Sequence, residues 1–140
     1  MINELINTEA YEQLTSRQAK EVLEYLHNNT TQFNVTVKLK YIDFNPKLPE
    51  QIYNSMNEYT MFTLANFTFS SLKINTETIE FETGFGPSNF GSVCTMPYYS
   101  IFQLGLEDSI LFINPVATTN KEFNKQSQKQ RSMNAFCMKK

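Results

Sequence analysis

The chain has 140 residues, 41% of them hydrophobic and 14% aromatic, which is enough to build the core of one domain and excludes disorder over most of its length. With only 4 Gly and 1 His, it is poor in the residues of phosphate-binding loops, histidine metal clusters and Ser-His-Asp relays, so an enzyme is disfavoured. Residues 1–120 carry 6 basic and 13 acidic side chains (−7), whereas residues 121–140 carry 6 basic and 1 acidic (+5), and an acidic body is a poor partner for nucleic acid.

The first predicted element is an amphipathic helix near the N-terminus. Thr15 and Gln18 have the spacing of a capping box, which predicts that the helix begins at Thr15. An extension back through Tyr11 and Leu14 stays open, because Thr15 could equally interrupt it. The pair Asn28-Asn29 predicts the end of the helix. One apolar stripe runs along it, made of Ala19, Val22, Leu23 and Leu26.

Strands are predicted where apolar and polar residues alternate. The clearest strand runs from Phe33 to Tyr41, and a second, rich in aromatic and β-branched residues, runs from Tyr59 to Phe69. Between them, residues 43–58 hold two prolines and little periodicity, which favours a long connection. The remaining predicted strands are Leu72–Ile74, Ile79–Phe85, Ser92–Met96 and Ser109–Ile113, with a helical turn over Tyr98–Leu104.

A glycine-rich segment follows the strand that begins at Ile79. The range Gly84–Gly91 holds three of the four glycines, which suits a hairpin or a bulged loop where positive φ is needed. Its Gly-x-Gly lacks the third glycine and the following helix of a dinucleotide-binding motif, and Pro87 and Phe90 interrupt it. No cofactor is therefore predicted.

The reactive side chains are few, and each has a structural interpretation. His27, at a helix end, is favoured there by the negative end of the helix dipole. Glu80 and Glu82 share one strand face, as solvated carboxylates do opposite an apolar face. Cys94 is expected to be a buried and inert thiol, and Cys137 has no visible base beside it. Neither a metal site nor a catalytic group is predicted.

The C-terminal part differs from the rest of the chain. We predict a folded domain over residues 1–117, with Pro115 ending the ordered body, and a flexible basic tail over residues 118–140. No segment resembles a membrane span or a secretion signal, and the two cysteines lack metal-ligand spacing, so a cytoplasmic protein in a reducing compartment is expected. The tail ends in an apolar cluster of Met133, Ala135, Phe136 and Met138.

These features favour a binding module. A partly open, aromatic-rich sheet can bind an extended peptide through backbone hydrogen bonds at a strand edge. A small Sm-like RNA-binding protein, which would stack bases on exposed aromatics, is a second possibility. A hydrolytic or isomerising enzyme that uses His27 or Glu82 is a third. The acidic body argues against RNA binding, and the scarcity of acid and base groups argues against the enzyme.

Several short motifs follow one another between residues 13 and 115. They are Gln-Leu-Thr at 13–15, Tyr-Leu-His-Asn-Asn at 25–29, Ile-Asn-Thr-Glu-Thr-Ile-Glu-Phe at 74–81, Phe85-Gly86, Met96-Pro97 with Ile101, and Phe-Ile-Asn-Pro at 112–115. Their order and spacing resemble the bacterial SspB (stringent starvation protein B) family. Members of that family are adaptors that bring ssrA-tagged and other substrates to the ClpXP protease for regulated proteolysis and protein quality control.

The resemblance implies an α+β fold, mainly β, in which an N-terminal helix precedes two antiparallel sheets. The sheets would form a small Sm-like barrel, and a disordered tail would end the chain. The resemblance also implies a homodimer without a cofactor. Its interface would lie on the helix, at Leu14, Val22, Leu23 and Leu26.

The resemblance further implies two binding surfaces for partners. The tagged peptide would lie in an apolar groove, and the tail would dock on ClpX, the ATPase of the protease. This chain has aromatics where the family's groove residues are usually smaller, and its tail tip shares with the docking motif only an apolar cluster before a terminal lysine. The groove residues implied are Ala65, Phe67, Thr83, Phe85 and Gly86, and the docking residues are Ala135, Phe136 and Met138.

Overall fold

A computed structural model describes residues 1–119. An N-terminal helix precedes two antiparallel four-stranded sheets, which confirms the expected α+β arrangement. The helices are α1 (Ile2–Ile6), α2 (Glu9–Asn29), α3 (Glu50–Asn54) and α4 (Asn66–Ser71), and 3₁₀ turns lie at Leu39–Tyr41, Tyr98–Ser100 and Pro115–Thr118. The strands are β1 (Gln32–Lys38), β2 (Asp43–Asn45), β3 (Tyr59–Ala65), β4 (Lys73–Ile74), β5 (Thr78–Phe85), β6 (Phe90–Pro97), β7 (Ile101–Leu106) and β8 (Ser109–Ile113).

The strands form two sheets, which we call sheet A and sheet B. Sheet A has the order β3-β1-β7-β8, and sheet B has the order β2-β6-β5-β4. In sheet A, β1 pairs with β3 from Gln32 opposite Ala65 to Lys38 opposite Tyr59. In sheet B, the β5–β6 hairpin pairs over its full length and closes at Phe85 opposite Phe90.

One core joins α2 to the inner faces of both sheets. The alternation that predicted β1 is confirmed, because Phe33, Val35 and Val37 are all buried. Across the core, the rings of Phe62 from sheet A and Phe81 from sheet B lie 5.2 Å apart in an edge-to-face contact. The largest fully buried side chains are Leu23, Phe33, Val35, Val37, Leu64, Ile79, Phe81, Met96, Ile101, Leu104 and Val116.

The helix α2 begins earlier than its capping-box pattern indicated. Its N-cap is Thr8, whose side chain accepts a hydrogen bond from the Tyr11 backbone N–H at 3.2 Å. Thr15 lies inside the helix and is buried, and its hydroxyl donates to the carbonyl oxygen of Glu12. The helix start predicted at Thr15 is therefore wrong, and the extension through Tyr11 is correct. The predicted end at Asn29 is confirmed.

The helical turn predicted over Tyr98–Leu104 is confirmed at Tyr98–Ser100, which form a 3₁₀ turn, but is wrong from Ile101 onward, where the chain forms β7 and bulges disturb the alternation. Its pairing with β1 shifts register between Thr36 and Val37, and its pairing with β8 shifts between Leu104 and Gly105. The first shift places the buried side chains of Ile101 and Leu104 three residues apart, which is a helical spacing. Sequence periodicity alone cannot distinguish a bulged strand from a short helix.

Two connections also differ from their predictions. The segment 43–58, predicted as a long connection, holds β2 and α3. The strand predicted from Tyr59 to Phe69 ends at Ala65, where Asn66 adopts φ 52° and the chain turns into α4. Pro115 does not end the packed body, since it begins the last 3₁₀ turn, after which Thr119 is buried.

Removing the α2 cap should weaken the fold. We expect Thr8→Ala to lower the free energy of unfolding by about 1 kcal/mol, because the Tyr11 N–H loses its acceptor. The measurement is urea unfolding followed by circular dichroism. Thr8→Ser keeps the hydroxyl and is the control, with unfolding close to that of the unmodified chain. Equal stability of Thr8→Ala and Thr8→Ser would contradict the cap assigned here.

Candidate functional site

A cleft lies between α4 and the tip of the β5–β6 hairpin. We call it the hairpin cleft, and its volume is about 360 Å³. One side is formed by α4, and the other by the last residues of β5 and the first of β6. The lining residues are Phe67, Thr68, Glu82, Thr83, Gly84, Asn89 and Gly91.

Two facing glycines leave part of the cleft without side chains. Gly84 and Gly91 are directly opposite each other in the hairpin. A Cβ added at Gly91 would meet nothing within 4 Å, so the space above it is open. At Gly84 a Cβ would collide with the side-chain oxygen of Asn89, which lies over the glycine. Another backbone can therefore approach this end of the hairpin closely.

The hairpin turn places Asn89 at the cleft. Gly86 has φ 70° and Asn89 has φ 53°, both in the left-handed region that glycine and asparagine tolerate best. The Asn89 backbone N–H donates to the carbonyl oxygen of Gly86 at 3.0 Å and closes the turn. The loop predicted from the glycines at Gly84–Gly91 is thus confirmed as a hairpin.

Contacts of two of its residues, Ser71 and Phe69, hold α4 in place. The Ser71 hydroxyl oxygen accepts a hydrogen bond from the Glu82 backbone N–H at 2.9 Å, which ties α4 to β5. Phe69 packs edge-to-face on His27, with ring centroids 4.8 Å apart. The Nε2 of His27 also lies 3.2 Å from the Phe69 carbonyl oxygen, to which an Nε2–H donates. Phe69 is half-buried against the core, whereas Phe67 on the same short helix is 64% exposed at the cleft.

The edge of β5 is open beside the cleft. Strand β4 pairs only with Ile79 and Glu80, and the N–H of Glu82 is taken by Ser71. Backbone groups of alternate strand residues point to the same side, so Gly84 presents its N–H and C=O towards the side that Glu82 faces. Within residues 1–119, no strand pairs with Gly84 on that side. A peptide strand can add to the sheet at this position.

The structure brings together two of the five residues that the resemblance assigned to a groove. Phe67 and Thr83 line the hairpin cleft, whereas Ala65, Phe85 and Gly86 are not among its lining residues. Ala65 ends β3 opposite Gln32. The ring of Phe85 turns towards the core side, 5.7 Å from Phe44 and 6.2 Å from Phe62.

Apart from Glu82, which was weighed as a reactive group of an enzyme, the sequence did not single out the remaining lining residues as a site. Gly84 and Gly91 were assigned to a hairpin, but only the pairing across that hairpin places them opposite each other. Thr68 was expected in a strand, and the turn at Asn66 moves it into α4. The sequence did contain a signal for the pairing of the two glycines. Gly84 and Gly91 are seven residues apart around a turn, a spacing that fits two residues opposite each other in a hairpin.

Among the lining residues of the hairpin cleft, the charged side chain is that of Glu82. The cleft contains neither Lys nor Arg, so it has no cation to pair with a phosphate. Phe67 contributes an exposed aromatic ring, and the hydroxyl and amide groups of Thr83 and Asn89 can donate and accept hydrogen bonds. The cleft suits an uncharged or weakly basic ligand whose backbone N–H and C=O groups are available for hydrogen bonds.

A second cleft of about 440 Å³ lies beside the edge strand β2. It was not predicted, because the segment that forms it was assigned to a connection. Its wall includes Phe44 and Tyr53, whose rings are 6.2 Å apart in edge-to-face contact. Charged residues Asp43, Lys47 and Glu50 also line it. Unlike the hairpin cleft, it therefore carries several charges.

The predicted interface residues on α2 separate into two groups. Leu23 and Leu26 are buried in the core of the same chain, so they are unavailable to a partner while the domain is folded. Leu14 is 40% exposed and Val22 is half-buried. The predicted docking residues Ala135, Phe136 and Met138, like Cys137, lie outside the residues that the structure describes.

The reactive side chains have structural surroundings. Cys94 is fully buried, and burial raises the pKa of its thiol to about 12, so the thiol remains protonated near neutral pH. Residues 1–119 contain no group of three or more His, Cys, Asp or Glu side chains placed to hold a metal ion. Within that same range, none of the helices is both long enough and apolar enough to cross a membrane.

Comparison with known proteins adds no relatives to this description. No protein-family model matches the chain. No curated protein matches it at a significant level.

The buried Cys94 thiol should make stability fall at alkaline pH. The unfolded chain loses this proton near its ordinary pKa of 9.0, whereas the folded state keeps it up to about 12. The contribution is therefore complete below about pH 9 and is lost as the pH rises towards 12. We expect the free energy of unfolding to fall between about pH 9 and 11 more steeply in the unmodified chain than in Cys94→Ala, by at most about 1.4 kcal/mol per pH unit.

Urea unfolding at several pH values measures these two slopes. Tyr98, whose pKa burial also raises to about 12, titrates in both proteins and does not affect the difference. Parallel slopes would show that the Cys94 thiol ionises equally easily in the folded and unfolded states.

Proposed function

We propose that this protein is a cytoplasmic adaptor that binds an extended degradation-signal peptide and delivers the tagged substrate to the ClpXP protease. The observation that carries the proposal is the hairpin cleft, where an open strand edge at Gly84 lies beside an exposed aromatic side chain, Phe67. The motif order that resembles the SspB family supplies the protease and the ssrA-type tag as the partners.

A peptide would bind here as an added strand. Gly84 offers a backbone donor and acceptor at the free edge of β5, and neither Gly84 nor Gly91 adds a side chain to the hairpin face beside that edge, where the side chain of Asn89 lies. Phe67 would cover an apolar side chain of the peptide, while Asn89 and Thr83 would hydrogen-bond with its polar groups. Main-chain bonds of this kind give affinity, and the side-chain contacts give selectivity.

Delivery needs a second contact with the protease. We assign it to residues 121–140, which carry a net charge of +5 and include the apolar residues Ala135, Phe136 and Met138. Two weak contacts on one complex raise the effective concentration of the substrate at the protease above what either gives alone. The adaptor itself then needs no catalytic group.

RNA binding of the Sm-like type is less well supported. Binding a polyanion requires cations, and the hairpin cleft has none among its lining residues. The body of 13 acidic and 6 basic side chains over residues 1–120 repels phosphate as well. Tight binding of single-stranded RNA that weakens with salt would favour this alternative over the adaptor.

Filling the hairpin cleft should block peptide binding without unfolding the protein. Gly91→Gln places a side chain in open space, and Thr83→Gln lengthens a side chain on the cleft wall. We expect each to weaken binding of a fluorescent peptide with the host's ssrA-tag sequence by about 1 to 3 kcal/mol, the range of a lost central contact. Fluorescence anisotropy measures the affinity.

The matched control is Thr31→Gln, the same exchange at an exposed position outside the cleft. It should bind like the unmodified chain, and circular dichroism should show that all three variants are folded. If peptide affinity survives both cleft variants but falls with Tyr53→Ala, the peptide lies in the cleft beside β2 instead.

Removing the apolar C-terminal cluster should separate binding from delivery. Deleting residues 133–140 is expected to leave peptide affinity unchanged and to abolish the lowering of the apparent KM for a tagged substrate in a ClpXP degradation assay. Phe136→Ser should reproduce much of this loss, and Gln130→Ser is the control in the same segment. Full stimulation by the shortened protein would assign docking to the folded body.

A further inference from the structure

A shallow groove of about 180 Å³ lies on the outer face of sheet A, and we call it the sheet A groove. Residues of all four strands and of the turn between β7 and β8 line it. Two of its apolar side chains are well exposed, Met61 by 61% and Ile110 by 58%. The carboxylates of Glu107 and Asp108, both in the turn, line the same groove. The groove therefore combines exposed apolar side chains with negative charge.

The two carboxylates have no cationic partner in the described part of the chain. Within residues 1–119, the salt bridge that forms joins Lys38 to Glu58, and neither Lys nor Arg lines the groove. Glu107 also has φ 56°, a left-handed conformation that Gly, Asn and Asp adopt at lower cost. Residues held in such conformations cluster at functional positions. The groove thus presents negative charge that the folded body does not neutralise.

This charge distinguishes the groove from the two clefts described above. The hairpin cleft has the single carboxylate of Glu82 among its lining residues. The cleft beside β2 has two carboxylates, but the ammonium of Lys47 accompanies them. A ligand that is both basic and apolar is therefore attracted more strongly to the sheet A groove than to either cleft.

We propose that the basic C-terminal segment of this same chain, residues 121–140, binds in the sheet A groove. The segment carries a net charge of +5, opposite in sign to the groove. Its apolar cluster lies between basic residues, with Arg131 before it and Lys139 and Lys140 after it. If the cluster covers Met61 and Ile110, cations come to lie beside the two carboxylates. The cluster consists of Met133, Ala135, Phe136 and Met138.

The segment can reach the groove. Ile113 ends β8 and is paired with Gln103, which lines the groove. Thr119 follows Ile113 by six residues, so it lies at most about 22 Å from Ile113. Residues 120–132 can span up to about 45 Å. The apolar cluster that begins at Met133 is therefore within reach of Met61 and Ile110.

A segment that is tethered to its own site needs little affinity. The tether gives it an effective concentration of about 1 mM at that site. A contact with a dissociation constant of about 100 μM for the free peptide is then occupied about 90% of the time. Exposed ion pairs contribute little each, so the apolar residues supply most of the affinity, and the charges select the groove.

The contact itself does not depend on the proposed function, but one consequence of it does. Ala135, Phe136 and Met138 are the residues assigned to protease docking, and a segment bound in the groove withholds them from the protease. Glu107→Lys, which weakens the contact, should then lower the concentration of adaptor needed to stimulate degradation. A ClpXP assay in which neither protein stimulates would count against the function alone, because the contact is measured separately.

The test uses the full chain, isotope-labelled for amide NMR and carrying a nitroxide at Cys137. The thiol of Cys94 is fully buried and stays protonated near neutral pH, so the nitroxide reagent reacts with Cys137. A nitroxide broadens the signals of amides close to it. We expect the signals of Met61 and Ile110 in the groove to be lost, and that of Gly91 in the hairpin cleft to be retained.

Variants of the groove and of the segment separate a specific contact from a general one. Glu107→Lys and Met61→Lys each place a cation in the groove, and each should restore the lost signals because it repels the basic segment. Glu21→Lys reverses a charge at an exposed position of α2 outside the groove, and it should leave the loss unchanged. In the chain without nitroxide, Phe136→Ser should shift the amide signals of the groove residues. Circular dichroism checks that every variant is folded.

Several results would overturn the proposal. Uniform signal loss over the body, together with unchanged amide shifts in Phe136→Ser, would show that the segment has no preferred site. Loss confined to Gly84 and Gly91 would place the segment in the hairpin cleft, and groove loss that persists in both lysine variants would remove the role of charge. A mixture of isotope-labelled chain without nitroxide and unlabelled chain with it should show no loss. Loss in that mixture would assign the contact to two different copies.

Discussion

The left-handed turn at Asn66 is the constraint on which the candidate site depends. It ends β3 in sheet A and directs the chain into α4, which reaches β5 of sheet B through the bond between Ser71 and the Glu82 N–H. The same short helix is held to α2 by the contacts of Phe69 with His27. Without this turn the strand would continue in sheet A, and neither the cleft nor its aromatic wall would form.

The single histidine gains a structural role from this arrangement. His27 lies near the end of α2 and contacts α4 with both its ring and its Nε2 atom. It thus supports the helix that carries Phe67, although it is not among the residues lining the hairpin cleft. The sequence offered His27 as a possible acid or base group of an enzyme. In the structure, its contacts position the neighbouring helix α4.

The two sheets present different surfaces. The β5–β6 hairpin of sheet B exposes bare glycine backbone at the hairpin cleft. The outer face of sheet A instead exposes Met61 and Ile110, and the carboxylates of Glu107 and Asp108 line the same shallow groove. The hairpin cleft and this groove thus belong to different sheets.

By itself, the sequence determined the elements whose pattern is local. The stripe of α2, the alternation of β1 and β5 and the glycine hairpin follow from periodicity and turn chemistry, which neighbouring residues set. Of the five groove residues that the motif order implied, Phe67 and Thr83 line the hairpin cleft. Only the tertiary structure decided the elements that depend on distant partners: the bulged β7, the short β2 that pairs with β6, and the turn at Asn66. Bulges and chain reversals depend on packing against strands and helices that are distant in the sequence. Likewise, Gly84 lies opposite Gly91 only once the two strands of the hairpin have paired.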